Sequence, residues 1–558
     1  MSERRVDGTV LFTVLVPLYR TQPDHFSAMV DSVLTQTERS LELVLVDDGS
    51  EDAGLTTLLA EAAAADPRVR VVALEQNQGI SGASAAGLAA ATGEFVALVD
   101  HDDLLEPRAL EVVRDALDRF PEADILYTDE DQLHEDGSFQ AEFRKPAFSP
   151  ERLRGQNYFG HLSVFRRALV TAVGGFRLGF EGSQDYDLVL RASERARLIV
   201  HIPEVVYHWR IHSASVSHRS ENAPVFDAAH RALAEHLERT GIDGTVEQVH
   251  NAGVYRIRRR LAETPPVTII IPTRGSRSVV HGAERVMVVE AVRTLLAKTT
   301  YPDFDVLVVA DSPTPADVRA DLVALAPDRV RVIPYPFPFN YSDKINYGVV
   351  RARADLLLTL NDDTEILDGD WLETMVGLLA PDVGMVGAKL LYEDELVQHL
   401  GLHVGLGDVM HIGEGLPADD VGPFAAHIVD REVSGVTGAC TLVPRHVFEQ
   451  VGGLAPVLPI NFNDVDFGFK ILDAGYRVLV TPHAVLHHFE SRTRHRRALA
   501  TEVDLLRARW AHRLASDDFW RERVPAPRPT AVVPYAARQE KTAARQATTV
   551  AADASGRR

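Results

Sequence analysis

FVALVDHDD at residues 95–103 and LLLTLNDD at residues 356–363 are two apolar, strand-forming runs that each end abruptly in acidic side chains. Carboxylates at the carboxyl end of a buried strand lie where open α/β sheets bind their ligands. Paired oxygen ligands at such a place suit Mg²⁺ or Mn²⁺ holding a phosphate. We therefore expect one ligand site in each of two similar halves.

The sequence around these two runs repeats as well. LVLVDD (43–48) is matched by VLVVAD (306–311), and RVRVVA (68–73) is matched by RVRVIP (329–334). Gly348 and Asp363 follow Gly87 and Asp102 by the same 261 residues. Strands alternate with segments of helical periodicity, which predicts a doubly wound, mostly parallel sheet in each half. The fold class is therefore predicted to be α/β, with two tandem Rossmann-like domains.

Composition shifts predict where the domains end. We predict a first domain over 1–262, including a connecting helix over 222–240, and a second domain over 263–520. The Thr264-Pro265-Pro266 stretch marks the boundary between them. Residues 521–558 are rich in Pro, Ala and Arg and lack hydrophobic periodicity, so we predict a disordered tail.

The overall charge and the cysteine count exclude several classes of function. A formal net charge of −22 over 558 residues argues against nucleic acid as a partner and against general adhesion to an anionic membrane. The single cysteine, Cys440, excludes an internal disulfide framework and fits a reducing cytoplasm. Its apolar neighbours favour a buried structural residue over a nucleophile. No run of apolar residues reaches the ~18 needed to span a membrane.

Four matched constellations of polar residues are candidates for chemistry. The acidic strand ends form D-x-D in the first half and N-x-D in the second; capping or a solvated turn is the structural alternative. Asp48 and Asp311, which follow or end the second strand of each half, are placed to bind a base or ribose. An Asx turn explains them equally well. Aspartates in the matched motifs at 182–187 and 461–466 are candidate general bases, or helix caps. His208 and His487, each 23 residues after the aspartate of its half, are candidate metal or phosphate ligands. In the second half His488 is an alternative to His487.

In this order, the motifs resemble glycosyltransferase family 2, the inverting nucleotide-sugar enzymes of GT-A fold. The resembling stretches are VPLY (16–19), LVLVDDGS (43–50), FVALVDHDD, VGGF (173–176), SQDYD (183–187) and YHWRIHSASVS (207–217) in the first half. The second half contributes IIIPTR, LLLTLNDD, VTGACTLVPRHVFEQVGGL, NFNDVDFGF and LHHFESRTR, which resemble the O-antigen and rhamnosyl-transfer branch. The resemblance covers roughly 11–500.

The resemblance implies a role for each matched position. The implied ligands of Mg²⁺ or Mn²⁺ are Asp100, Asp102, Asn361 and Asp363, with His208 and His487 closing the site. The implied contacts to the nucleotide-sugar donor are Pro17, Tyr19, Asp47, Asp48, Pro272, Thr273, Arg274, Asp311 and Lys344. The implied general bases are Asp185 and Asp464.

The expected function is an inverting glycosyltransferase with two catalytic domains that acts on a growing, lipid-linked surface glycan. We expect it in the cytoplasm, at most peripheral at the inner face of the plasma membrane. The alternative is one catalytic domain with the other serving as a glycan- or nucleotide-binding module. A sugar-phosphate nucleotidyltransferase is disfavoured because no Gly-rich phosphate loop followed by a basic residue lies near the start. A dinucleotide oxidoreductase is disfavoured because no G-x-G-x-x-G follows the first strand of either half.

Overall fold

The computed structural model describes residues 10–211, 223–250, 253–405, 407–489, 499–521, 530–532 and 534. The first half has strands β1 (Phe12–Leu18), β2 (Leu41–Asp47), β3 (Val69–Ala73), β4 (Phe95–Leu98), β5 (Leu104–Leu105), β6 (Ile125–Leu133), β7 (Phe139–Phe143), β8 (Ser163–Arg166) and β9 (Ile199–Arg210). Its helices are α1 (Pro23–Leu34), α2 (Ala53–Ala65), α3 (Gly79–Ala90), α4 (Ala109–Arg119), α5 (Pro150–Gly155), α6 (Arg167–Ala172) and α7 (Gln184–Arg195). The predicted connecting helix is α8 (Ala223–Thr240), which leads into a hairpin of β10 (Gly244–His250) and β11 (Val254–Arg259).

The second half has strands β12 (Val267–Thr273), β13 (Arg277–Val280), β14 (Ala283–Val286), β15 (Phe304–Asp311), β16 (Val330–Tyr335), β17 (Leu356–Leu360), β18 (Thr364–Ile366), β19 (Val383–Leu391), β20 (Val397–His399), β21 (Leu402–Gly405), β22 (Asp408–His411), β23 (Arg431–Glu432), β24 (Cys440–Pro444) and β25 (Arg477–His488). Its helices are α9 (Met287–Lys298), α10 (Ala316–Leu325), α11 (Tyr341–Val349), α12 (Trp371–Gly377), α13 (Arg445–Gln450), α14 (Asn463–Asp473) and α15 (Ala500–Trp510). A last short strand, β26, covers Thr530–Val532.

The two large sheets share one strand order. The first runs β3-β2-β1-β4-β8-β6-β9, and the second runs β16-β15-β12-β17-β24-β19-β25. In both, the first four strands are parallel, the fifth is antiparallel, and the last two are parallel to each other. This confirms the predicted α/β fold class and the duplication, with sheets that are mixed beyond their four parallel strands.

Apolar side chains on both sheet faces place the core. β1 and β12 lie at the centre of their parallel strands, and nearly all of their residues are buried, as expected of strands covered on both faces. The repeated glycines explain how the helices α3 and α11 pack against these strands. A Cβ added at Gly87 would lie 2.9 Å from Leu15, and one at Gly348 would lie 2.7 Å from Ile270. Each helix therefore approaches its sheet more closely than a larger residue permits.

The halves pack against each other through buried charges. The α5 residue Glu151 lies against Arg259 of β11 and 3.3 Å from Arg477 of β25. Burial raises the pKa of Glu151, but Arg154 and these two arginines outweigh that effect and hold it below its usual range. Removing one partner from such a buried group is strongly destabilising, so these contacts fix the two halves relative to each other.

The structure corrects part of the predicted disordered tail. Thr530–Val532 forms β26, which pairs antiparallel with Ile199–His201 at the edge of the first sheet. Arg521 is buried and lies 3.0 Å from Asp129 of the first half. The open edge of β9 supplies unpaired backbone groups that a short strand satisfies regardless of its composition. The rest of the tail, apart from residue 534, lies outside the described residues (522–529, 533 and 535–558).

Candidate active sites

The first acidic strand end, Asp100 to Asp103, follows β4 directly. Asp103 is fully buried, and it accepts hydrogen bonds from the Tyr207 hydroxyl at 2.5 Å and the Arg210 amide at 2.7 Å. Burial, reinforced by the charges of Asp100 and Asp102, raises the pKa of Asp103 well above its usual range. Asp103 therefore fixes the turn. Asp100 and Asp102 are partly exposed and are the carboxylates that a ligand can reach.

A histidine that sequence reasoning missed, His161, lies opposite Asp100. Its Nε2 is 3.5 Å from the Asp100 carboxylate, and its ring stacks on Tyr207 at 4.7 Å. The His161 amide donates to Glu130, and the Lys145 ammonium donates to the His161 carbonyl oxygen, so the loop is held from both sides. Burial lowers the pKa of His161, but the nearby carboxylates, Asp100 foremost, outweigh it and raise the pKa overall.

The predicted metal ligand His208 has other partners. Its Nδ1 lies 2.6 Å from Asp131 and its Nε2 lies 3.0 Å from Glu106, so carboxylates outside the strand end occupy both nitrogens. Successive side chains alternate along β9, and Tyr207 takes the face toward Asp103. The metal-binding role of His208 therefore stays a prediction, and among the described residues His161 is a histidine that contacts Asp100 at this strand end.

Asp185 lies in the first turn of α7, near the same cleft. It is partly exposed, and its carboxylate accepts a hydrogen bond from the Asn157 amide nitrogen at 2.8 Å. Burial raises the pKa of Asp185, and the charge of His161 is the largest opposing influence. Asp187 in the same motif is fully buried and paired with Arg191 at 2.5 Å, so it holds the helix in place. Asp185 is therefore the aspartate of this motif that a ligand can reach.

The second acidic strand end is Asn361 to Asp363, after β17. The His488 Nε2 lies 3.1 Å from the Asp363 carboxylate and 3.1 Å from the Asn361 side-chain nitrogen. Its Nδ1 lies 2.6 Å from the Gln398 side-chain oxygen, which orients the ring. These contacts place a carboxylate, an amide and an imidazole together at the end of the strand.

Asp464 lies near this strand end and is linked to it through one tyrosine. The Tyr341 hydroxyl lies 3.4 Å from the Asn361 side-chain oxygen and donates to the Gly438 carbonyl oxygen at 3.1 Å. The Gly438 amide donates to the Asp464 carboxylate at 3.2 Å. As in the first half, the second aspartate of the motif is structural, because the buried Asp466 lies 3.1 Å from Lys470.

The predicted ligand His487 faces away from Asp363. Its Nε2 lies 2.9 Å from Glu395, and its Nδ1 lies 4.0 Å from Glu365. The register of β18 and β25 pairs Glu365 with His487 and Thr364 with His488, so the two histidines occupy opposite faces of the sheet. The contacts with Asp363 and Asn361 favour His488, the alternative that the sequence left open, and the role of His487 at this strand end stays a prediction.

The predicted donor-binding residues gather at the ends of β1, β2, β12 and β15. Asp48 accepts a hydrogen bond from the Gln78 amide at 2.7 Å, whereas Asp47 accepts one from the Ser50 amide at 3.1 Å, which is turn geometry. In the second half Lys344 is buried and lies 2.8 Å from Asp311. The remaining predicted members of this group lie in or directly after the first strand of their half, and they are Pro17, Tyr19, Pro272, Thr273 and Arg274.

Comparison with known proteins identifies the family. The model for "Glycosyl transferase family 2" matches residues 13–173, and that for "Glycosyltransferase like family 2" matches residues 265–512. The chain belongs to glycosyltransferase family 2. It carries two domains of this family in tandem.

Two curated relatives match most of this family 2 chain. An uncharacterized protein, y4gI, of Sinorhizobium fredii is 40% identical over 91% of the chain and 57% of its own length. The O-antigen biosynthesis protein RfbC of Myxococcus xanthus is 36% identical over 88% of the chain and 38% of its own length. The chain thus spans about half the length of these relatives.

Among solved structures, S. aureus TarS 1-349 in complex with UDP-GlcNAc is similar over 41% of the chain and 66% of that protein, with 23% identity and a TM-score of 0.34. Among the residues that the structure describes, no helix combines the length and the apolar character that crossing a membrane requires.

Both family 2 sites fit a divalent cation by the chemistry of their donors. The oxygens of Asp100 and Asp102, or of Asn361 and Asp363, are ligands that Mg²⁺ and Mn²⁺ accept.

Proposed function

We propose that both halves are active sites and that the protein transfers sugars from nucleotide-sugar donors to a surface glycan with inversion of configuration. The observation that carries this proposal is the continuous contact path in the second half from Asp363 through His488, Asn361 and Tyr341 to Gly438, whose amide binds Asp464. It joins the metal-binding end of the site to the candidate base. The first half brings together an equivalent set of groups.

The proposed mechanism assigns proton transfer to Asp185 and Asp464. Each carboxylate accepts the proton of an acceptor hydroxyl, whose oxygen then attacks the anomeric carbon from the face opposite the nucleotide. The bond to the diphosphate breaks, and configuration inverts. Asp100, Asp102 and His161 in the first half, and Asn361, Asp363 and His488 in the second, would hold a divalent cation. When bound, that cation would offset the negative charge of the departing diphosphate.

The buried environment of Asp185 supports its role as a base. Because burial raises its pKa, Asp185 binds a proton more tightly than a solvated aspartate does, which favours proton acceptance near neutral pH. The hydrogen bond from Asn157 fixes one carboxylate oxygen.

A surface glycan as acceptor is supported by the match to an O-antigen biosynthesis protein. Two sites with different residues at matched positions favour two different linkages or sugars. We propose domain limits at 1–262 and 263–520 for these two activities. The cytoplasmic location and the lipid-linked acceptor remain predictions from the sequence.

The direct test combines a donor screen with two base variants. Wild-type protein is mixed with a panel of nucleotide sugars, with and without Mn²⁺, and binding is measured by calorimetry. Asp185→Asn and Asp464→Asn are then expected to bind donor normally but to lose transfer by one domain each, since only the base is removed. The exposed Asp504→Asn serves as a control. No binding of any nucleotide sugar would refute the transferase proposal, and a loss confined to one variant would leave the other half as a binding module.

A further inference from the structure

The second half contains a hairpin that the first half lacks at the same position. In the first half α1 begins five residues after β1, whereas in the second half β13 and β14 stand between β12 and α9. The turn of this hairpin carries His281, whose backbone adopts a positive φ of 49°. The hairpin thereby brings an imidazole to the edge where β18 pairs with β25.

His281 meets two further side chains at this edge. Glu365 and His487 face each other across the paired strands β18 and β25. The His281 Nε2 lies 3.7 Å from a Glu365 oxygen, and the His487 Nδ1 lies 4.0 Å from the same oxygen. Three donor atoms, one from each residue, lie within 4.8 Å of one another.

The state of His487 points to a ligand. Its side chain is only 7% exposed, and its buried Nδ1 has no hydrogen-bond partner among the described residues. The Nε2 lies 2.9 Å from Glu395, so the proton belongs on Nε2 and the lone pair on Nδ1. A histidine whose second nitrogen donates to a carboxylate is the usual arrangement of a metal-bound imidazole. The Nδ1 lies 4.0 Å from a Glu365 oxygen, within the group of three donor atoms.

The charge around the cluster also favours a cation. Glu365, Glu393 and Glu395 are near the two histidines, and the Glu393 carboxylate accepts a hydrogen bond from the His281 amide at 2.8 Å. Among the described residues, Lys298 is a positive charge close to the cluster, at 3.9 Å from the second oxygen of Glu365. The described charged side chains that contact the two histidines are carboxylates.

We propose that His281, Glu365 and His487 form a site for a divalent transition-metal ion of the Zn²⁺ class, separate from the donor site. Two imidazoles and one carboxylate are the ligands that zinc accepts, with bonds of about 2.0–2.2 Å. Around such an ion the donor atoms lie roughly 3.3–3.5 Å apart, so side-chain movements of about 1 Å complete the geometry. The bound ion would connect the hairpin β13–β14 to the paired strands β18 and β25, beside the predicted donor-binding residues.

The first half offers an internal comparison for this site. Leu104 pairs with His208 where Glu365 pairs with His487, so the carboxylate ligand is replaced by an apolar side chain. Both nitrogens of His208 are engaged by Asp131 and Glu106. Within the described residues the site is therefore found in the second half and not at the matched position of the first, and it predicts one bound zinc per chain.

The test measures zinc uptake by the full chain without using enzymatic activity. Chelator-treated protein is kept in excess Mg²⁺, which occupies the oxygen-rich donor sites, and is titrated with Zn²⁺ and, in parallel, Co²⁺. We expect one Zn²⁺ per chain and a visible Co²⁺ absorption band. His281→Asn and Glu365→Gln are expected to weaken zinc binding at least about tenfold. The control His446→Asn removes an exposed histidine of the same half and is expected to bind as wild type.

Two further results separate this site from the donor site and from a structural effect. Asp363→Asn is expected to bind zinc as wild type, and loss of binding there would overturn the proposal by placing the ion at the second acidic strand end. Hydrogen exchange of residues 277–286 is expected to slow on adding Zn²⁺ to wild type but not to His281→Asn. Equal zinc binding by wild type and both ligand variants, or no stoichiometric uptake by wild type, would also overturn it. Because no readout involves sugar transfer, failure here leaves the proposed function standing.

Discussion

In both halves a histidine lies beside the acidic strand end, but a different part of the fold supplies it. In the first half His161 approaches Asp100 from the loop before β8, and in the second half His488 approaches Asp363 from the end of β25. The strand pairing places Ala439 at the position that matches His161, and Trp209 at the position that matches His488. The comparison shows that the duplicated fold keeps an imidazole beside the acidic strand end, although the histidine occupies a different position in the sequence of each half.

The donor-binding ends of the two halves differ as well. The buried Lys344 pairs with Asp311 and donates to the Thr273 carbonyl oxygen at 2.8 Å, so it ties β12 to β15. The position 261 residues earlier is Ala83, and Asp48 there accepts a backbone amide instead. A fixed positive charge is therefore part of the second site and absent from the matched position of the first.

The largest expected effect comes from removing one strand-end carboxylate at a time. Asp102→Asn and Asp363→Asn each lose the negative charge that the metal requires, and each is expected to lower transfer by its own half about 10³-fold. Transfer by the other half is expected to continue. Initial rates with each donor found in the screen, at saturating Mn²⁺, measure both.

That pair of variants also decides whether the halves are equivalent. If Asp102→Asn abolishes all transfer and Asp363→Asn abolishes none, the second half is a binding module, and the reverse result makes the first half the module. The exposed Asp504→Asn is the control for a general loss of charge.

The next effect concerns stability and only the second half. Lys344→Met leaves the Asp311 carboxylate without its ion pair in a largely buried place, and we expect a loss of about 3 kcal/mol in the free energy of unfolding. Urea denaturation, followed in the transition of the second half, measures it. The double variant Lys344→Met/Asp311→Asn is expected to recover most of the loss, because no uncompensated charge remains. An unchanged midpoint in the single variant would contradict the importance of the pair.

A smaller effect tests the displaced histidines. His161→Gln in an Asp363→Asn background, and His488→Gln in an Asp102→Asn background, are each expected to weaken Mn²⁺ activation of the remaining site about 10- to 100-fold. The measurement is the dependence of the transfer rate on Mn²⁺ concentration. The exposed His446→Gln is the control, and unchanged activation by Mn²⁺ in either histidine variant would show that this imidazole has no part in metal binding.

The sequence predicted the fold well because its signals are local and periodic. Apolar runs such as those of β1 and β12, and the close-packing Gly87 and Gly348, carry their structural reason within a few residues. The shared strand order then follows from the repeat. The tail strand β26 was not predictable, because its pairing depends on an open edge of β9 more than 300 residues away in the chain.

The candidate sites were predictable only in part. Matching the halves favoured histidines at equal spacing, and so selected His208 and His487, which keep the repeat but face other carboxylates. His161 has no histidine counterpart in the second half, so the repeat concealed it. The choice between His487 and His488 depends on which face of β25 each side chain takes, and only the register with β18 determines that.

The smallest expected effect distinguishes how the two halves hold their bases. In the first half the Asn157 side chain donates to Asp185, and such a hydrogen bond favours the ionised carboxylate. Burial raises the pKa of Asp185, so its carboxylate is protonated at a higher pH than that of an ordinary aspartate. As the pH is lowered, transfer by the first half is therefore expected to fall while the pH is still above the ordinary pKa of aspartate. Asn157→Leu removes the donor, raises that pKa further, and moves the acidic limb upward by roughly one unit.

The second half provides the matched control, since Asp464 is held by the backbone amide of Gly438, which Asn157→Leu does not touch. The profile of kcat/KM against pH is therefore measured for Asn157→Leu in two backgrounds, one with only the first site active and one with only the second. If the acidic limb of the profile shifts when only the first site is active and does not shift when only the second site is active, Asp185 is the base and Asn157 is its positioning residue. A limb that moves in neither removes Asp185 from proton transfer, and the base of the first half then has to be another carboxylate of the cleft.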